Sequence, residues 1–185
     1  MAVPMTRRPL TVDEFQQLAQ QGFFLEDERL ELIRGEIIEM TPVGDRHALC
    51  VMLLNDLFAD LRPKGIVNPQ NPLRLPGQRS VPQPDVVLLR RRNDFRARPP
   101  HPEDVFLLVE VSETSLPYDR EVKLPLYAES GISEAWIVDL NSNTISAFRR
   151  PSPGGYQEVR RYGQEDEISL EAFPGVSFAV KQILG

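Results

Sequence analysis

Apolar and polar positions along this chain switch between a period near 3.6 and a period of 2, and each switch predicts an element. Thr11-Val-Asp-Glu14 has the capping-box pattern, and Phe15, Leu18 and Ala19 follow at helical spacing until Gly22, predicting a short helix. LELI and EIIEM flank Arg34-Gly35 and predict two strands around a tight turn, with Glu31 on the same face as Ile33. Residues 46 to 61 read as a helix whose stripe is Ala48, Val51, Leu54, Phe58 and Leu61, suited to covering a sheet. Val67 to Leu75 predicts a strand interrupted by Pro69 and Pro72, which suits an edge.

Two runs then break the pattern in the same way. PQPDVVLL (82–89) and VFLLVEVS (105–112) each carry one carboxylate among apolar residues, Asp85 and Glu110. Burying an ionised carboxylate there is costly unless positive charge stands beside it. If the runs pair antiparallel around residues 90–105, position 85 faces 110, 87 faces 108 and 89 faces 106, so the two acids share a face. A slip of one residue would separate them. ETSLPYDREVKLPLYAESG follows as a loop and a helix ending at Gly131, with Pro125 in its first turn or at a kink. EAWIVDL, TISAFRR and YQEVRRY predict strands joined at Asn141-Ser-Asn143 and at SPGG, and ISLEAFPGVSFAVKQIL one or two short elements. The order implies an α/β or α+β sheet with helices packed on it.

Composition changes this picture little. The 185 residues suit one domain spanning 1–185. No apolar stretch nears the roughly 20 residues that cross a bilayer. MAVPMTRRPL shows no signal core and Cys50 is the one cysteine, so a soluble, cytoplasmic, bacterial-style protein is the expectation. A net charge of −6 argues against a protein that coats nucleic acid by bulk electrostatics, though not against a local basic patch.

Two carboxylates from adjacent strands are what a hard divalent cation needs. Mg²⁺ takes oxygen ligands, with one or two carboxylates and several waters, and leaves room for a phosphate oxygen. Such an ion would supply the missing positive charge and polarise both phosphate and water. Lys123 would complete the centre by orienting water and stabilising developing charge. It falls near the start of the predicted helix, where the dipole disfavours a cation, which asks for another reason for it.

At these residues the chain resembles the PD-(D/E)XK nuclease superfamily, the restriction-endonuclease-like fold, and within it the Uma-type endonucleases. LELIRGEIIEMTPVGDRH resembles that family's first hairpin and helix start, VPQPDVVLL its PD strand, and LLVEVSETSLPYDREVKLPLYAESGISEAWIVD its central signature. The resemblance implies a central mixed sheet flanked by helices and phosphodiester hydrolysis by metal-activated water. It implies Asp85 and Glu110 as ligands of Mg²⁺ or Mn²⁺, the Val111 carbonyl as a further ligand, and Glu31 as an auxiliary acid. One departure matters: the superfamily's usual lysine falls two residues after the acid, where this chain has Ser112, and Lys123 fits a position moved into the next helix.

Plainer readings stand beside these. Asp85 could cap a turn after Pro84, Glu31 could lie exposed on its hairpin, and Lys123 could pair with Asp119 one turn back. Tyr118 and Tyr127 either support the lysine or pack. His47 could approach phosphate or be structural; with Cys50 it has a zinc spacing, but no second pair supports zinc. Arg90, Arg91, Arg92, Arg96 and Arg98 form the one concentrated basic stretch, which either tracks a nucleic-acid backbone beside the site or blunts a sheet edge. The leading expectation is a DNA endonuclease, with a homodimer supplying two centres. The alternative is a non-catalytic nucleic-acid-binding or assembly protein with the same fold.

Overall fold

Thr11 opens the first helix as its pattern predicts. Its hydroxyl accepts the Glu14 N–H and the Glu14 carboxylate accepts the Thr11 N–H, satisfying two donors that a helix start leaves free. The computed structural model describes residues 7–25 and 27–185; residues 1–6, the front of the segment read for a signal core, lie outside them. Helix α1 (Val12–Gln20) lays Val12 and Phe15 near Leu32 and Val81, against the hairpin of β1 (Leu30–Ile33) and β2 (Glu36–Glu39). Arg34 and Gly35 both have positive φ, 51° and 85°, the turn geometry that matches the strands' own twist. The other edge of β1 is tied to residue 81, with Leu32 and Val81 exchanging N–H and C=O.

Helix α2 (Asp45–Leu57) runs into a 3₁₀ turn (Phe58–Leu61). Its inward stripe is His47, Cys50, Val51, Leu54, Phe58 and Leu61. Ala48, expected in that stripe, is exposed, because it stands about 100° around the axis from His47. Strand β3 (Gly65–Pro69) is an edge strand as predicted, but it ends at Pro69 rather than Leu75. Beyond it Leu73 and Leu75 stay buried in a loop whose N–H groups reach Pro82 and Ser80 carbonyls.

Then come β4 (Val86–Arg90), β5 (Val105–Ser112), α3 (Leu116–Tyr118), a π-helical turn (Asp119–Lys123), α4 (Leu124–Glu129) and β6 (Glu134–Asp139). Strands β7 (Thr144–Ser152), β8 (Gly155–Tyr162), β9 (Glu167–Ser169) and β10 (Ser177–Ala179) follow, and α5 (Val180–Leu184) closes the chain. Six strands form one sheet in the order β3-β4-β5-β6-β7-β8, with β5 and β6 parallel and all other neighbours antiparallel. The sheet is mixed and helices cover both faces, which is the expected architecture. A parallel neighbour needs a crossover, and the α3–α4 segment provides it.

Alternation on β5 sorts the two layers. Leu107, Val109 and Val111 join the core under α2 and α5, where Trp136 is fully buried. Leu108 joins Leu126, Tyr127 and Ile132 under α4, and Glu110 and Ser112 share its face by the same alternation. The β4–β5 register bears out one expected pair, Val87 opposite Leu108, and corrects another. A bulge between Leu88 and Leu89 sets Leu89 opposite Val105 instead of residue 106, and the ladder stops at Val86 opposite Val109.

Gly35 is the glycine on which the hairpin most depends. A Cβ there would stand 2.4 Å from the Pro9 Cβ and 2.9 Å from the Leu10 carbonyl, at a φ of +85°. Gly35→Ala is therefore expected to cost about 2 kcal/mol or more, read as a lower urea midpoint at unchanged m-value.

Candidate active site

The alternation that turns Glu110 toward α4 brings it beneath the crossover helix, where it meets Lys123 and Tyr127. The Lys123 ammonium stands 3.2 Å from Glu110 Oε1 and 2.9 Å from Glu31 Oε1, and the Tyr127 hydroxyl donates to the same Glu110 oxygen. All four residues are buried; Glu110 and Lys123 are each 3% exposed and Glu31 and Tyr127 0%. Glu31 points inward, as its face with Ile33 suggested, and its Oε1 also accepts the Gln83 N–H at 2.7 Å. Its second oxygen, Oε2, is buried without a partner among the described residues. The pairing of Lys123 with Asp119 does not occur; the lysine takes two acids from distant parts of the chain.

Asp85 meets Glu110 by a different route from the expected cross-strand pair. Because β4 begins at Val86, no β4 residue faces the Val111 N–H, and Asp85 Oδ2 accepts it at 2.8 Å. Oδ1 lies 3.0 Å from His47 Nε2, so His47, on the first turn of α2, holds this carboxylate. His47 Nδ1 is buried without a partner among the described residues. Cys50 turns away and its thiol donates to the Ile183 carbonyl, so no zinc pair forms with His47. A strand residue's N–H and C=O point to the same side, so the Val111 carbonyl is directed toward Asp85 as well.

The helix holding Lys123 is continuous from 116 to 129, and the lysine lies in its middle rather than at its start, so the dipole objection does not apply. In its central π turn the Leu124 N–H reaches back to the Asp119 carbonyl. Residues eight apart in a regular α-helix drift about 80° around the axis. The wider turn takes up part of that drift, so Asp119, Lys123 and Tyr127 all face β5. Asp119 accepts the hydroxyls of Ser112 at 2.7 Å and Ser115 at 2.6 Å, a role the sequence reading had not assigned to it. Ser112, at the usual lysine position, is fully buried beneath this helix. Lys123 delivers its amine to the same neighbourhood from above.

Four buried carboxylates, Glu31, Asp85, Glu110 and Asp119, surround one buried ammonium. Burial pushes the Glu110 carboxyl well above its ordinary value; Lys123 opposes this, while Asp119, Asp85 and Glu31 add to it. Burial disfavours charged Lys123, but Glu110, Glu31 and Asp119 outweigh burial and hold the ammonium protonated. Tyr127 is raised by burial and by the same acids, so it stays a donor.

Glu31, Asp85, Glu110, Asp119 and Lys123 form the floor of a cleft of about 660 Å³. One wall comes from β2 and the loop after it, the other from the loop after β5. The predicted arginines are not beside it. They lie past the end of β4 opposite to Asp85, and most are engaged locally: Arg92 with Asp94 and Asp104, Arg98 with Glu103 and Asp104, and Arg91 with the Arg62 and Gly65 carbonyls. Arg90 lies over the Phe106 ring, while Arg96 has no ion pair among the described residues.

The site thus joins Asp85, just before β4, and Glu110 of β5 to Lys123 of the crossover helix. The chain belongs to the Uma2 family, described as "Putative restriction endonuclease", whose model matches residues 12–181. Among solved structures it is similar to one described as a putative nuclease belonging to DUF820 from Anabaena variabilis. That likeness has 16% identity and a TM-score of 0.68, covers 95% of this chain and 98% of that one, and shows the fold. No curated protein matches. No helix among the described residues is long and apolar enough to cross a membrane.

The raised Glu110 carboxyl has a signed consequence. Between its ordinary value of 4.5 and its higher folded value the native state holds a proton that the unfolded state has released, so metal-free stability falls as pH rises. Glu110→Gln should remove this contribution. In EDTA, the thermal midpoint of the variant relative to the parent is expected to be higher at pH 8 than at pH 5.

Proposed function

We propose that this protein is a divalent-metal-dependent endonuclease that hydrolyses phosphodiester bonds in DNA. The observation that carries the reading is one lysine ammonium within 3.2 Å of both Glu31 and Glu110, on the floor of a cleft that also holds Asp85. Water orientation and charge stabilisation beside two acids is the task such a lysine performs in phosphoryl chemistry.

The residues present fit Mg²⁺ or Mn²⁺. Asp85, Glu110 and the Val111 carbonyl offer oxygen donors alone, the ligand type of a hard cation. No cluster of three or more His, Cys, Asp or Glu side chains forms a ready cage among the described residues. Mg²⁺ does not require one, because it keeps several waters and binds through one or two carboxylates. The excess of buried carboxylates over cations, and the partnerless Glu31 Oε2, both favour an added positive charge. Bound there, the ion would polarise a phosphate oxygen and make a water more acidic.

The chain's own groups have distinct tasks in this reading. Lys123 aims a water at phosphorus and stabilises negative charge on the phosphate oxygens. Glu31 holds the lysine in place or assists a second ion, Tyr127 fixes the rotamer of Glu110, and His47 positions Asp85.

The test is a plasmid-nicking assay on purified protein with Mg²⁺, Mn²⁺ or EDTA. Nicking is expected with either metal, none in EDTA, and a fall of about 10²–10³-fold or more in both Asp85→Ala and Lys123→Ala. Absence of nicking, together with calorimetry showing no metal uptake, would reject the catalytic reading in favour of a binding protein on the same fold.

A further inference from the structure

Resting on that nuclease reading, we propose that the centre takes an unpaired strand, a single-stranded or frayed segment such as those that open in a supercoiled plasmid, drawn into the cleft alone, rather than a relaxed, fully paired duplex. Three features of the cleft lead there: the depth of its reacting groups, the nature of one wall, and the scarcity of cations.

Depth and size come first. Lys123 and Glu110 are 3% exposed and Glu31 is 0% exposed, so a phosphate must descend to meet them. The cleft's 660 Å³ falls in the range of small-molecule sites, about 300–1,000 Å³. Its two sides also approach each other at one end. The Glu113 carboxylate lies 2.9 Å from where a Cβ on Gly44 would stand, and Arg46 Nη1 is 3.3 Å from Glu113 Oε1. Stacked and paired neighbours in a duplex move with any phosphate and cannot follow it into such a space. A free strand can bend its backbone there.

The wall from β2 onward presents Ile38, Met40, Pro42 and Val43 to the cleft, interleaved with Glu39 and Thr41. A duplex hides the apolar faces of its bases inside the stack and offers only their edges in the grooves. An unpaired base exposes those faces, and an apolar wall complements them. Unpairing costs a few kcal/mol and is cheapest where the strand is already single.

Cations are few. Arg29 and Lys123 line the cleft, and Arg46 stands at its rim already paired with Glu113. Duplex binding relies on many Lys and Arg contacts to phosphates. This cleft has cations for one or two phosphates, and the arginine-rich loop lies at the opposite end of β4.

The test uses the full chain with Mn²⁺ and a fluorescein-labelled oligonucleotide, single-stranded or annealed to its complement, reading both cleavage and anisotropy. The single strand is expected to be cut at least about tenfold faster. Its Kd should weaken less than about tenfold between about 50 and 200 mM salt, the shallow slope of one or two phosphate contacts. Val43→Asn should weaken single-strand binding severalfold, and Val159→Asn, at an exposed valine on β8, should leave it unchanged. A duplex cut as fast as the single strand, a salt loss of about 10³-fold or more, or indifference to Val43→Asn would overturn the proposal and leave the nuclease reading intact. Preferential single-strand binding without cleavage would support the subsite and reject hydrolysis. Neither form bound nor cut would overturn both.

Discussion

The buried ammonium of Lys123 is the contact on which the site depends. It joins Glu31 of β1, Glu110 of β5 and its own helix, three segments far apart in sequence. Removing one partner of a buried ion pair leaves an uncompensated charge and costs about 3–5 kcal/mol, whereas apolar replacements of similar volume are often neutral or stabilising. Stability alone therefore does not account for four acids and one lysine at the heart of an otherwise apolar layer. A buried cluster of this kind facing a cleft marks a candidate functional site.

The location of that lysine follows from the crossover. The parallel pairing of β5 with β6 requires a connection over the sheet, and α3, the π turn and α4 lie over Glu110 and Ser112. Under that cover, position 112 has room for a hydroxyl bonded to Asp119 rather than a long cationic side chain. The covering helix supplies the amine instead. A π turn carries an energetic cost in hydrogen-bond geometry, and it is found here where it lines up Asp119, Lys123 and Tyr127.

Local features were the legible ones. The Thr11 cap, the Arg34-Gly35 turn and the single acid in VFLLVEVS each follow from a few neighbouring residues, and the structure has all three. What escaped were facts that arise only when elements dock. His47 reaches Asp85 because α2 crosses the start of β4, and the Asp85–Val111 bond exists because the ladder ends one residue early. The arginine stretch reads as a nucleic-acid contact or as cover for a sheet edge, and its charge alone does not separate the two. Asp94, Glu103 and Asp104 lie within the same loop and pair with Arg92 and Arg98.

Electrostatics then links the site to its substrate. The chain carries a net charge of −6, and the cleft floor concentrates carboxylates, so the protein's own charges disfavour a polyanion at short range. Repulsion of this kind scales with the number of phosphates brought near. A duplex brings two backbones and many phosphates, while one unpaired strand brings few. Each positive charge added among Asp85, Glu110 and Glu31 offsets more of the repulsion for the smaller ligand. If the centre takes one strand, as proposed, one centre suffices for one cut. A deep acidic floor, an apolar wall and few free cations are thus a consistent set for a site that handles one strand at a time.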